Sequence, residues 1–441
     1  MDLRQSSTIQ LIKPINPVNF LRNKVAFSAI DLQGVMTVLL ALTTLAQVVS
    51  VSLKSVFIAL TSVVVLYHLF ISKRREMFQV FITPWFIAAM LFFLTILIGC
   101  LISPADKHTQ LDFIHKYSKL FYLPLLALGF QDKQSRFWAI HAFLLGMLIT
   151  LVCSELKVFG FVKMHGLQTD FGEVFYNHIV TGYFMAFAAF LAAIYAVHSQ
   201  GKGRIGYVLI ALLFSYHTLF VSMGKTGYLM LVILLLIFLF CYVRQLSMGL
   251  LILVSALLLM YQSPLVKLGI EKSINQLQNY QQGNYQSSYS PVGHRLQFHK
   301  YAENLFLRSP LFGLGTGAFS YYFSVENPVP VWRLSNTPNA GRLMEPHGEY
   351  WLIAAEHGLV GLAVFFFFII TLFYETYKTD EMRVALLGLL ITFLVGCCSD
   401  GFLLLTGPGY FLIIFAAMGF GESFAGRREQ FAKRYILNRE Y

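Results

Sequence analysis

Long apolar runs recur along almost the whole chain and limit its fold more than any other feature. They are Val35 to Val49, Val56 to Ile71, Trp85 to Ile102, Leu120 to Phe130, Trp138 to Val152, Val180 to Val197, Ile205 to Val221, Tyr228 to Val243, Leu250 to Tyr261, Tyr350 to Phe373, Val384 to Cys397 and Phe402 to Phe420. A bilayer core takes about 20 apolar residues as helix, whereas a transmembrane barrel shows alternating segments of about ten. The sequence therefore predicts an all-α polytopic membrane protein of about 12 transmembrane helices. A chain that is 57% hydrophobic and 12% charged is not an ordinary soluble domain. The polar residues up to about Lys24 lack the pattern of a cleaved signal peptide, so the first run is read as an uncleaved anchor.

Lys and Arg collect on the cytoplasmic side of membrane proteins. With the N-terminus inside, the inside segments hold Arg4, Lys13, Arg22 and Lys24, then Lys73 to Arg75, Lys133 and Arg136, Lys202 and Arg204, Arg244, Lys378 and Arg383, and five near the C-terminus. That is about 19 of the 33 basic residues. Both termini are then cytoplasmic. The net charge of +11 reflects this topology, so a nucleic-acid partner is not expected. The five cysteines, Cys100, Cys153, Cys241, Cys397 and Cys398, lie in or beside apolar runs, with neither disulfide framework nor zinc spacing.

One polar stretch, Ser263 to Glu345, interrupts the pattern and falls outside. It divides the chain into residues 1–262 with about nine spans, a large outer loop at 263–345, residues 346–421 with about three spans, and a basic tail at 422–441. The Gln-, Asn- and Tyr-rich part from Gln276 to Ser290 reads as a mobile flap, with Tyr280, Tyr285 and Tyr289 as flat faces for sugar rings. His294 to Leu307 has helical spacing ended by Arg308-Ser309-Pro310. Gly313, Gly315 and Gly317 read as backbone geometry, because no strand precedes them as in a phosphate loop.

The chemistry-bearing residues gather on the outer side. Pro346 suits the first position of a helix, which puts His347 in the first turn of the tenth span. A positive helix end there favours the uncharged ring that a general base needs. Arg295, with His294 and His299 beside it, offers a guanidinium fork suited to phosphate. Lys225, in the short outer turn Ser222 to Gly227, runs against the orientation bias and suits an anion near the membrane. Arg342 precedes His347 and would add a further cation. Secondary candidates are His299, His178 and Glu356; the last lies within the tenth span and needs a partner. No carboxylate cage or metal-ligand set is evident around these cations. One base and several cations without a metal suit glycosyl transfer from a lipid diphosphate.

Three stretches resemble the bacterial O-antigen ligase and polymerase superfamily. Pro346-His347-Gly348-Glu349-Tyr350-Trp351-Leu352 through Glu356-His357-Gly358-Leu359-Val360-Gly361 is similar to the family's Pro-His-Asn-x-x-Leu and Glu-x-Gly-x-x-Gly run. Arg295 to Gly317 and Ser222 to Leu229 match as well. The resemblance implies a GT-C-like membrane glycosyltransferase with a large helical periplasmic loop between spans nine and ten. It implies metal-independent, inverting transfer without a cofactor. The donor would be a glycan on undecaprenyl diphosphate, and the acceptor a sugar hydroxyl of lipid A-core at the periplasmic face of the inner membrane. The family histidine maps to His347 and the diphosphate-binding arginines to Arg295 and Lys225. Lys225 for arginine and Gly348 for asparagine are departures. Ligase is the first reading and O-antigen polymerase the alternative. A protein O-oligosaccharyltransferase fits less well for want of a soluble C-terminal region. A transporter fits less well because the spans carry few charges.

Overall fold

A computed structural model describes residues 32–72, 75–163, 170–283, 290–329 and 343–437, and these are helical wherever they are regular. Among the described residues, nine helices are long and apolar enough to cross a membrane: Leu32–Val49, Val51–Ile71, Pro84–Ile102, Lys133–Val158, His178–His198, Gly201–Val221, Lys225–Tyr242, Glu349–Thr376 and Thr406–Arg427. The chain is a multi-pass membrane protein. Against the expected twelve, nine described helices meet this length and composition, or ten if one bent pair counts as a span. The three remaining apolar runs exist but fall short. Leu120 to Phe130 becomes a 3-10 turn and the helix Tyr122–Gly129, too short to span about 30 Å alone. Arg383–Gly396 has only 14 residues. Leu246–Gln262 is followed by Pro264–Gln281 at an angle of 78°.

That bend has a local cause. Ser263 accepts a hydrogen bond from the Val266 amide, and Pro264 sits at the first helical position, so a new helix starts at once. The polar stretch thus opens as a helix through Gln281, which corrects the flap expected from Gln276 onward. Residues 284–289, including Tyr285 and Tyr289, lie outside the described residues.

Two helices form the centre. The apolar windows of His178–His198 and Thr406–Arg427 are 83% and 78% buried, against 28% for peripheral Lys225–Tyr242. Phe411 lies within 5.5 Å of the rings of Phe143, Tyr183, Phe184, Phe187 and Phe415. Gly182 and Gly227 let helices His178–His198 and Lys225–Tyr242 approach, since a Cβ on either would lie 3.0 Å from the other's Cα.

The polar stretch is fastened into one of the long apolar helices. Gly358 interrupts Glu349–Thr376 at φ 62° and ψ −158°. The chain from Pro310 to Gly317 enters this break. The amides of Leu314 and Gly315 donate to the carbonyls of Ala355 and Glu356, and those of Leu359 and Val360 donate to Pro310 and Leu311. The break is tolerated because protein satisfies its backbone. A Cβ at Gly313 would lie 2.3 Å from the Glu356 backbone, and Gly313, Gly315 and Gly317 all have positive φ. The glycine turn is backbone geometry, as its context suggested.

Candidate active site

His347 does not lie in the first turn of its helix. The helix begins at Glu349 with Gly348 as its cap, and His347 precedes it at φ 57°. A side chain in the left-handed region is strained unless its surroundings hold it. Two contacts do so. The Nε2–H of His299 donates to the His347 carbonyl at 2.9 Å, and the Phe298 ring stacks on the imidazole at 5.9 Å between centroids. Both residues come from helix Pro291–Arg308, which Ser290 caps by accepting from the Gly293 amide. Burial pushes the His299 ring below the ordinary histidine value, which suits a neutral donor to a carbonyl.

A carboxylate, rather than a helix end, orients the imidazole. Nδ1 of His347 lies 2.9 Å from Oδ1 of Asp400. Asp400 belongs to the loop that follows helix Arg383–Gly396, and its side chain is 5% exposed against 28% for His347. Because the carboxylate accepts, Nδ1 carries the proton and Nε2 the lone pair. Glu345 adds a second carboxyl, with Oε1 3.8 Å from the same Nδ1. Burial pushes the Glu345 carboxyl up to about 7, opposed by its attraction to His347. Its other oxygen packs on Gly401, where a Cβ would lie 2.7 Å away. The expectation of cations without carboxylates or a metal-ligand set around them is therefore corrected, since Asp400 pairs with Arg295 and stands with Glu345 beside His347.

Arg295 sits in the second turn of its helix rather than the first, because the helix starts at Pro291. Its Nη2 reaches Oδ2 of Asp400 at 3.4 Å, and its side chain remains 33% exposed. Asp400 thus joins His347 to Arg295. Lys225 opens helix Lys225–Tyr242 and donates to Oγ of Ser273 at 2.5 Å. Arg295 and Lys272 are its neighbours in charge. Three cations from three helices therefore share one region.

The other described candidates have partners of their own, and the His178 backbone packs on Gly224 beside Lys225. Nδ1 of His178 lies 2.9 Å from Asp170 and 3.2 Å from Glu173, in an ion-pair cluster at the start of helix His178–His198. Glu356 finds its partner at the start of helix Ala318–Glu326, where Oε1 accepts from the Phe319 amide at 3.4 Å. Arg342 lies outside the described residues.

Two groups among the described residues bring three potential metal ligands within 4.8 Å of one another: Glu345, His347 and Asp400, and Asp170, Glu173 and His178. In the first, Asp400 already faces the Arg295 guanidinium, whose charge opposes a dication there. The donor set fits an Asp–His pair better than a cation cage. Sequence reasoning missed Asp400 and Glu345. Asp400 had one visible signal, a polar Cys-Ser-Asp-Gly break between two apolar runs at the outer end of a span.

No curated protein matches the chain. Residues 208–366 match the family model described as O-antigen ligase, a segment that contains Lys225, Arg295, His299, His347 and Glu356 but neither His178 nor Asp400. Over that segment this bears out the resemblance to an O-antigen ligase-like superfamily read from the sequence.

Proposed function

We propose that the protein is an O-antigen ligase, an inverting and metal-independent glycosyltransferase acting at the outer face of the inner membrane. The donor is a glycan on undecaprenyl diphosphate and the acceptor a sugar hydroxyl of lipid A-core. Nε2 of His347 takes the proton of that hydroxyl as its oxygen bonds to the anomeric carbon of the donor. The bond from that carbon to the diphosphate breaks on the opposite face, and undecaprenyl diphosphate leaves with the electron pair. Asp400 holds the ring in the required tautomer and stabilises the imidazolium that forms. The exposed part of Arg295, with Lys225, receives the diphosphate charge. Arg342 and Lys272 are further candidates for that charge.

The observation that carries this reading is the chain of contacts from His347 through Asp400 to Arg295. On this reading one carboxylate serves both groups, with Oδ1 2.9 Å from the base and both oxygens 3.4 to 3.5 Å from the cation that would meet the diphosphate. The test is a deletion strain analysed for surface glycolipid. Loss of a ligase leaves lipid A-core bare and polymer on the lipid carrier. Loss of a polymerase leaves core bearing one repeat unit, and that outcome would replace the ligase reading. Retained transfer by His347→Ala protein that inserts normally would overturn the mechanism for either enzyme.

A further inference from the structure

The loop that carries Asp400 has no secondary structure to hold it. It joins helices Arg383–Gly396 and Thr406–Leu437, and Gly401 to Leu404 are buried. Buried backbone groups need partners. The loop supplies some itself, since Phe402 N bonds the Asp400 carbonyl and Leu405 N the Gly401 carbonyl. The amides of Leu403 and Leu404 go instead to one carboxylate oxygen, Oε2 of Glu349, at 2.9 and 3.1 Å. The Glu349 amide donates to the Cys397 carbonyl at the other end of the loop. Oε1 of Glu349 accepts from the Tyr117 hydroxyl at 2.9 Å. The carbonyls of Leu403, Leu404 and Leu405 all receive Nζ of Lys119, at 2.6 to 3.1 Å. Glu349 and Lys119 are 0% and 1% exposed. Gly409 leaves the space for the lysine, since a Cβ there would lie 2.5 Å from Nζ.

We propose that Glu349 and Lys119 are positioning residues that clamp the 397–405 loop, set the Asp400 carboxylate against Nδ1 of His347, and so govern the proton transfer. Glu349 is two residues from His347 in the chain and grips the Asp400 loop on both sides. The spacing between base and carboxylate is therefore built from one residue's bonds. Lys119 closes the loop's opposite polar edge. Tyr117, on the same turn as Lys119, anchors the carboxylate. Tyr117, Lys119 and Asp400 all lie outside the segment that matches the family. The inference rests on the reading of His347 as base and Asp400 as its partner.

The experiment uses full-length protein in nanodiscs, with lipid-linked glycan and lipid A-core extracted from the deletion strain. Glu349→Gln leaves one acceptor oxygen for the Leu403 and Leu404 amides but removes the charge that strengthens those bonds and the acceptor that faces Tyr117, and should lower kcat about 10- to 100-fold, with KM for the lipid-linked glycan within about twofold. Combined with Asp400→Asn, it should bring the total loss to about that of Asp400→Asn alone rather than to the product of the two, because both changes remove the same alignment. Lys119→Met should lower kcat in the same way, and Lys119→Arg should restore most of it. Tyr117→Phe removes one hydroxyl without changing the ring, and so should insert normally and lose about two- to fivefold in kcat. The inference is overturned if Glu349→Gln and Asp400→Asn multiply, or if Tyr117→Phe and Lys119→Met leave kcat unchanged. An active His347→Ala enzyme would instead remove the reading beneath it.

Discussion

Replacing Asp400 with asparagine keeps the shape of the side chain and removes its charge. The 2.9 Å contact to Nδ1 becomes a neutral hydrogen bond, and the amide can present N–H instead of an acceptor. A hydrogen bond to a charged group contributes about 1.5–3 kcal/mol, equal to about tenfold to about 150-fold in rate. Turning the ring so that Nε2 holds the proton would add to this, up to the roughly 10,000-fold ceiling of Asp–His pairs. Arg295 shares the carboxylate at 3.4 Å and so takes part of its charge, which places the expected loss near 100-fold. Freed of Asp400, the guanidinium remains available to the diphosphate, so KM for the lipid-linked donor should not rise. The assay is single-turnover transfer of lipid-linked glycan to lipid A-core across pH, beside a thermal-unfolding check on the purified variant. A fall in kcat below threefold, or a rise in donor KM with kcat unchanged, would refute the pairing as the source of activity.

Four further outcomes are expected. Lys225→Arg should retain transfer, while Lys225→Ala should raise donor KM about tenfold, because the region supplies charge to a diphosphate; equal behaviour would remove Lys225 from the site. Gly358→Ala should cost at least about 2 kcal/mol of stability in a denaturant titration, since a side chain at φ 62° would lie 2.5 Å from the Leu311 backbone. Glu345 has a folded value near 7 against an ordinary 4.5, so its contribution to stability is full below about 4.5 and is lost as pH rises through about 7. Wild-type melting temperature should therefore fall between about pH 4.5 and 7.5 more steeply than that of Glu345→Gln, by an amount equivalent to about 3 kcal/mol; parallel curves would show that Glu345 does not titrate. Transfer should persist after dialysis against a chelator, and loss of activity restored by a divalent cation would convert the Glu345, His347 and Asp400 group into a metal site.

Much of the site was legible because its signals are local. Pro346-His347 stands where a polar stretch meets an apolar run, and Arg295 lies in a stretch whose apolar spacing marks a helix. What pairs them was not legible. Asp400 reaches His347 only when a loop of nonhelical backbone closes on the start of another helix, and residue spacing carries no trace of that. The helix-end argument for His347 failed for a related reason: its backbone turns left-handed before the helix begins, so a neighbouring acid decides the ring's tautomer. The apolar runs themselves were read correctly. Hydropathy does not report where Ser263-Pro264 starts a new helix, or that Tyr122–Gly129 stops after eight residues.

The seam between Pro310–Gly317 and the break at Gly358 works as a ruler. Helix Pro291–Arg308 runs into the seam two residues before Pro310, so the height of Arg295 is registered against helix Glu349–Thr376, the same helix that follows His347. Adding or removing a residue between Arg308 and Gly317 would slide Arg295 along the helix that follows His347.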